Sequence, residues 1–339
     1  MTVTIKDVAK LAKVSPSTVS RVIADNPRIS HKTKERVKIV MDELGYHPNF
    51  NARSLINKSV QAIGLVLPNS TEKVFQNPFF PEVIRGISKV AHDKEYAILI
   101  STGETEDQIY NEVVRMVQGG RVDGLILLYS RVNDKVTNFL IDRKFPFTMV
   151  GKPHVNTDAI THVDNDNYNA GKSVTDFLLK LGHRQIGFVG GSLSLLVTVD
   201  RLRGYEDALA AADVPFNKEY IVHEEFLREG GQEAVKELMS LKKRPSALVV
   251  ADDLMALGMF NTLAEMKIKV PDHLSIISFN NLLLSEISRP PLTTVDVNIY
   301  QLGFQAAKCL IEKIMNPQEP AKRIIVPFTI IERNSCTTK

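Results

Sequence analysis

The sequence predicts an α/β protein: a small all-helical head, then a body of two Rossmann-like subdomains. Three observations predict it. Two capped helical segments joined by a turn of about three residues open the chain between Thr4 and Ile23. From Gln61 onward, short runs rich in Val, Ile and Leu alternate with amphipathic stretches, the pattern of buried parallel strands that each lead into a helix. The charge is also divided. Residues 1–58 carry 11 Lys+Arg against 5 Asp+Glu, so the remainder of this +3 chain is net −3. A basic head on a slightly acidic body points to a polyanionic partner.

The bulk composition sets the class. The 339 residues, 44% hydrophobic and 24% charged, suffice for two or three compact cores. No apolar run nears the roughly 18–20 residues that span a bilayer. Met1-Thr-Val-Thr-Ile-Lys-Asp7 lacks the apolar stretch of a secretory signal. Cys309 and Cys336 alone make no disulfide framework, and there is no CxxC. The expectation is a soluble, cytoplasmic-type protein with no membrane partner.

In the head, Thr4 and Asp7 form a capping-box pattern, and Ile5, Val8, Ala9 and Ala12 share one helical face, predicting a helix from Ile5 to Ala12. Ser15 as cap and Pro16 at the first helical position start a second helix running to about Ile23. It buries Val19, Val22 and Ile23, while Ser17, Thr18, Ser20 and Arg21 form its other face. A third helix starts at Ser30, turns Val37, Val40, Met41 and Leu44 inward, and ends at Gly45. Two short helices with this turn make a helix-turn-helix, whose second helix enters a DNA major groove. Its small polar face lets the helix approach closely, and Arg21 can grip a guanine edge or a phosphate. Packing for its own sake would not require so small and polar an exposed face. Next, Pro48 breaks the preceding helix and Asn49 can cap one of about seven residues, too short to be stable alone in water.

In the body, Ala62–Leu67, Ala97–Ile100, Gly124–Tyr129 and Phe147–Val150 form one strand series. Gln185–Val189, Ala247–Ala251 and Ser275–Phe279 form the other. Ligands of such folds bind beyond the carboxyl ends of the strands. Enzyme motifs fail. Ala170-Gly-Lys-Ser173 resembles the end of a phosphate loop, but Asp166 stands where its first glycine is required. No GxGxxG follows a strand, no HExxH or other paired histidines suggest a metal, and there is no GxSxG. No cofactor is expected.

Polar and aromatic residues instead gather just past the strands. Asn77-Pro-Phe79-Phe80 follows the first, Asp252-Asp253 follows Val249–Ala251, and Asn280-Asn281 follows Ile276–Phe279. Arg201 lies in Asp200-Arg-Leu-Arg-Gly-Tyr205, and Tyr129 ends the third run. Flat rings with Asp, Asn and Arg suit a sugar, which offers apolar faces and many hydroxyls. Singly, Phe79 or Phe80 reads as core and Asp252 as a helix cap; their shared location past strand ends favours a site. Asp164-Asn-Asp-Asn167 reads as a crossing between the subdomains, with Asn165 to Asn167 capping the loop.

Several motifs resemble the lactose-repressor family of bacterial transcription regulators: Val3-Thr-Ile-Lys-Asp-Val-Ala9, Val14-Ser15, Thr18-Val-Ser-Arg-Val22, Leu44-Gly-Tyr-His-Pro-Asn49 and Ala52-Arg-Ser-Leu55. The likeness runs through the whole chain. It implies residues 1–46 as the DNA-binding domain and 47–60 as a hinge helix. A periplasmic-binding-protein-like body follows, with one subdomain from 61–162 and 295–325 and the other from 163–294 and 326–339. It implies DNA contacts by Ser15, Pro16, Ser17, Thr18, Ser20, Arg21 and Arg28, and by Asn49, Ala52 and Leu55 of the hinge, with Leu55 as a minor-groove wedge. It also implies effector contacts at Phe79, Phe80, Asp164, Arg201, Phe226, Asp252 and Asn280, where the family commonly has Asp at 280. Lys13 departs from the family's frequent Gly, so a left-handed backbone cost is expected there.

Within the family, Leu65-Val-Leu-Pro68, Gln76-Asn-Pro-Phe-Phe-Pro81, Arg121-Val-Asp-Gly-Leu-Ile126 and Ser278-Phe-Asn-Asn281 resemble maltose-operon repressors of Gram-positive bacteria. The implied protein is a homodimeric, nucleoid-associated repressor that binds a pseudo-palindromic double-stranded DNA operator and is released by a maltose-type sugar. No leucine heptad follows Phe328-Thr-Ile-Ile-Glu-Arg333, so a tetramer is not expected. The alternative is a sister regulator whose partner is a phosphorylated phosphocarrier protein. A sugar-transport protein would lack the basic head, and a sugar-metabolising enzyme would show turnover.

Overall fold

The computed structural model describes residues 3–46, 59–68, 70–155 and 158–339. It divides into two compact units, one ending at Gln61 and one beginning at Ala62.

The head is three helices, α1 (Ile5–Leu11), α2 (Pro16–Ile23) and α3 (His31–Leu44). Their ends follow local chemistry. The Asp7 carboxylate accepts from the Thr4 N–H at 2.9 Å and the Thr4 hydroxyl at 2.7 Å. Ser15 Oγ accepts from the Thr18 N–H at 3.1 Å, and Ser30 caps α3 in the same way. Gly45 ends α3 at φ 60°, the left-handed conformation that glycine takes without a Cβ clash. Lys13 takes φ 53°, so the strain expected in the turn is present. Val8, Ala12, Val19, Val22, Val37 and Val40 form the core.

The body contains two six-stranded sheets. The first lobe uses β1 (Ala62–Val66), β2 (Ala97–Ile100), β3 (Gly124–Leu127), β4 (Phe147–Val150), β5 (His162–Asp164) and β11 (Arg323–Ile325), all parallel, in the order β11-β5-β4-β3-β1-β2. The second uses β6 (Ile186–Gly190), β7 (Ile221–His223), β8 (Ala247–Val250), β9 (Ser275–Phe279), β10 (Thr293–Asp296) and β12 (Thr329–Ile331), in the order β12-β10-β9-β8-β6-β7. Only β12 runs antiparallel to its neighbour in that sheet. The seven strands read from apolar runs lie where expected, within about two residues. The other five are only three or four residues long and mostly polar-edged, such as His162-Val-Asp164, so no run announces them.

The chain crosses between lobes after β5, after β10 and after β11. Lobe boundaries were expected at 162/163 and 294/295, but each crossing lies two residues later. His162 to Asp164 pair with Arg323 to Ile325 in the first sheet, and Val295 pairs with Phe279 in the second. Strand pairing therefore runs to the end of each strand before the chain departs. One side chain joins all three crossings: Asn165 Nδ2 donates to the Val297 carbonyl at 3.0 Å and the Val326 carbonyl at 2.8 Å.

Helix pairs cover the sheets with close backbone contact. In the second lobe, α8 (Asn167–Lys180) crosses α9 (Leu196–Ala211) at Gly171 and Gly204. A Cβ on Gly171 would lie 2.3 Å from the Arg201 carbonyl oxygen, and one on Gly204 2.1 Å from that of Tyr168. That close approach is what Gly171 does in the Ala170-Gly-Lys-Ser173 sequence. In the first lobe, α5 (Phe79–Asp93) meets α13 (Ile299–Met315) in the same reciprocal way through Gly86 and Gly303.

Candidate nucleic-acid interface and effector cleft

On the head, α2 buries Val19 and Val22 and leaves Ser15, Pro16, Ser17 and Arg21 exposed, with Thr18 and Ser20 half-buried. The Ser15 hydroxyl also bonds Ser17 Oγ at 2.7 Å and Thr18 Oγ1 at 2.9 Å, so these small groups form one polar cap at the N-terminus of the helix. Arg21 stands one turn further along, exposed. The loop carrying exposed Arg28 is fixed to α3 by Lys34 Nζ, which donates to Asp25 Oδ1 at 2.6 Å and to the Asp25 carbonyl at 3.2 Å. Asn49, Ala52 and Leu55 lie outside the described residues.

In the body, a cavity of about 150 Å³ lies between the lobes, against the crossings. Phe79, Phe80, Tyr129, Asp164, Arg201, Phe226, Asp252 and Asn280 all line it. A short helix, α4 (Thr71–Gln76), intervenes between β1 and Asn77, so the two phenylalanines belong to the first turn of α5 rather than to a strand end. Their rings meet edge to face with centroids 5.3 Å apart. Tyr129 follows β3, and its hydroxyl donates to Asp134 Oδ1 at 3.4 Å.

The second lobe supplies a buried polar network. Arg201 on α9 donates from Nε to Asn167 Oδ1 at 2.9 Å and from Nη1 to the Ala251 carbonyl at 2.8 Å. Its guanidinium lies 4.0 Å from the Phe279 ring centroid, and it forms no ion pair with any described residue. Burial pulls it down to about 10, against the pull of Asp252 and Asp164. Asp252 caps α11 (Asp253–Glu265), accepting from the Leu254 N–H at 2.7 Å through Oδ1. Its Oδ2 accepts from Asn280 Nδ2 at 2.8 Å and Asn77 Nδ2 at 3.0 Å. The amide at 280 follows from this contact, since a second carboxylate there would repel Asp252 where Asn280 donates. Burial pushes both Asp252 and Asp164 up to about 7; donation from Asn77 and from the Asn165 backbone opposes the rise.

Sequence reasoning missed several cleft residues. Asn77, singled out only as the start of the Asn77–Phe80 run and not as a contact, has a role that was missed: besides Asp252 it reaches the Phe226 carbonyl at 3.1 Å, bridging the lobes. Its partners lie 149 and 175 positions away, so no local pattern could reveal it. Asn167, read as a loop cap, orients Arg201 and donates to Asp164 Oδ1 at 2.9 Å, while Asp166 does the capping. Lys152 pairs with Asp200 across the cleft at 2.8 Å. Rings, carboxylates, amides and a guanidinium thus surround one small space that both lobes close.

Residues 4–49 match the bacterial regulatory proteins of the lacI family, and residues 175–336 match the periplasmic binding protein-like domain. The chain is 42% identical to the HTH-type transcriptional regulator MalR of Streptococcus pneumoniae, over 98% of this chain and all of that one (100%). A putative transcriptional regulator LacI from Bacillus cereus subsp. cytotoxis NVH 391-98 superposes with a TM-score of 0.81 at 54% identity, covering 82% of this chain and 99% of that one. A transcriptional regulator CelR–cellobiose complex superposes with a TM-score of 0.77 at 27% identity, covering 98% and 99%.

Proposed function

Because this chain belongs to the lacI family of DNA-binding transcriptional repressors, we propose that a free maltose-type sugar in the interlobe cleft controls its operator affinity. The observation that carries this reading is the cleft itself, where Phe79, Phe80 and Phe226 offer ring faces beside Asp252, Asn280 and Arg201. Such a set stacks on the apolar face of a sugar and pairs its hydroxyls with acceptors and donors. The likeness to MalR supports maltose or a maltodextrin as the ligand.

In this mechanism the protein acts as a dimer. Two copies of α2 enter successive major grooves of a pseudo-palindromic operator, with Arg21 and Ser17 facing base edges and Arg28 at the groove border. The 47–60 segment docks in the minor groove with Leu55 as its wedge. Sugar favours one arrangement of the lobes and so disfavours the DNA-bound state, with a coupling of about 1–3 kcal/mol. The sugar is then an inducer, and the protein acts in the cytoplasm without catalysing a reaction.

The test is fluorescence anisotropy on operator DNA selected with the purified protein, titrated with maltose, maltotriose, glucose and purines. Maltose or maltotriose should release the DNA. Arg201→Ala should hold DNA as tightly as the wild type and ignore the sugar. Release from Arg201→Ala would mean the cleft is not the effector site. If no sugar acts and a phosphorylated phosphocarrier protein tightens DNA binding, the sister-regulator reading replaces this one.

A further inference from the structure

We propose that Asn167 and Asn165 are positioning residues that transmit the state of the cleft to the three interlobe crossings, through an unbroken chain of buried hydrogen bonds that begins at Arg201. The ligand arm of the proposal rests on the effector reading above; the chain itself is a property of the protein without ligand. Arg201 Nε donates to Asn167 Oδ1, and Asn167 Nδ2 donates to Asp164 Oδ1, both at 2.9 Å. Asn167 also donates through its backbone N–H to the Asn165 carbonyl at 2.9 Å. Asp164 ends β5, and Asn165 opens the first crossing. The two hydrogens of the Asn165 amide go to the other two crossings, at the Val297 and Val326 carbonyls. The Val326 N–H returns a bond to the Asp164 carbonyl at 2.8 Å. Four residues thus link one cleft guanidinium to each place where the chain changes lobes.

Burial makes this chain act as a unit. Asn165, Asn167, Arg201 and Asp164 are only 4%, 5%, 5% and 7% exposed, so water is not at hand to replace a partner that moves away. Shifting one group leaves a buried donor or acceptor unpaired unless the next group follows. The two ends are suited to different tasks. Arg201 lines the cavity and is hydrogen-bonded only to neutral acceptors, Asn167 Oδ1 and the Ala251 carbonyl, so a bound molecule can redirect its guanidinium. Its backbone is held against Gly171 of α8, which confines that response to the side chain. Asn165 bonds backbone carbonyls of the crossings, the segments whose dihedral angles set how the lobes face each other. Helix capping does not account for Asn167, because Asp166 already caps α8 by accepting from the Asn169 N–H at 3.0 Å.

Asn167→Asp tests the chain, because it keeps an acceptor for Arg201 but replaces the donor facing Asp164 with a carboxylate. Adding Asp164→Asn reverses that bond, with the new amide at 164 donating to the new carboxylate at 167, and should restore it. Asn167→Ser cuts the same bond by shortening the side chain and carries the same expectation if the charged variant does not fold. Spin labels on cysteines introduced at Asn111 and Glu237, exposed positions in the first and second lobes, report the interlobe distance by double electron–electron resonance. Labelled chain is diluted in unlabelled chain. Without any sugar, Asn167→Asp should broaden the distance distribution, and the double variant should narrow it again. The ratio of operator affinities without and with maltose or maltotriose, roughly 5–150-fold in a coupled regulator, should fall toward one in Asn167→Asp while calorimetry shows the sugar still bound. It should recover in the double variant. A merely structural role would lower the melting temperature of Asn167→Asp and leave the distances and the ratio as in the wild type, which would overturn the proposal. A double variant no better than the single one would overturn it too. If neither sugar binds the wild type, the sugar reading fails, and the distances in the ligand-free chain still decide whether Asn167 positions the lobes.

Discussion

Asp164 shows how one buried residue makes the molecule sensitive to pH. Its carboxyl ordinarily ionises near 3.8, and burial in the cleft pushes it up to about 7. Between those values the folded chain holds a proton that the unfolded chain has lost, so this residue's contribution to stability declines as pH rises through the window. Asp164→Asn removes that slope. Urea unfolding at pH 4 and at pH 8 should show the wild type losing stability relative to the variant on going to pH 8; the reverse sign would mean the group is ionised in the folded state. On the head, Arg21→Ala removes the one long cation exposed on α2. If Arg21 reads a guanine, operator affinity should fall by about 1–3 kcal/mol and discrimination against a scrambled site should shrink. An unchanged preference between the two DNAs would exclude Arg21 from base reading.

At the scale of elements, the crossing of α8 and α9 fixes the position of the cleft guanidinium. Gly171 packs directly against the backbone of Arg201. Gly171→Ala must part the two helices at about 1–3 kcal/mol, the usual cost of overpacking. It should lower the melting temperature and blunt the sugar response together; a variant with wild-type values of both would show that the helix pair does not position Arg201. Elements differ in how legible they were. The helices of the head could be read within a residue, because Thr4, Ser15-Pro16, Ser30 and Gly45 are local signals that act locally. The long inner strands were legible for the same reason, as uninterrupted apolar runs. The short strands at the crossings take their structure from pairings such as His162 with Arg323, far apart in sequence. The cleft divides likewise. Residues at strand and helix ends, such as Asp252, were visible, whereas Asn77 acquires its role only when the lobes meet.

At the scale of the whole molecule, α12 (Leu283–Ile287) carries an exposed apolar face, with Leu283 75%, Leu284 42% and Ile287 59% exposed. Beneath it the fully buried Asp253 accepts from the Leu282 N–H at 2.8 Å and from Ser285 Oγ at 2.7 Å, holding this face rigid. In the proposed dimer, an apolar face of this kind suits contact between two copies. Ile287→Glu should therefore shift sedimentation toward the monomer and weaken operator binding; a variant that stays dimeric would place the contact elsewhere. The three crossings have one more consequence, in the order of synthesis. The first lobe is threaded by both halves of the body: α13 covers α5, and β11 closes the sheet edge beside β5. Those pieces leave the ribosome only after the entire second lobe up to β10 has been made. A nascent first lobe therefore waits with the inner face of α5 uncovered and one strand edge unpaired, and its completion depends on the last few dozen residues of the chain.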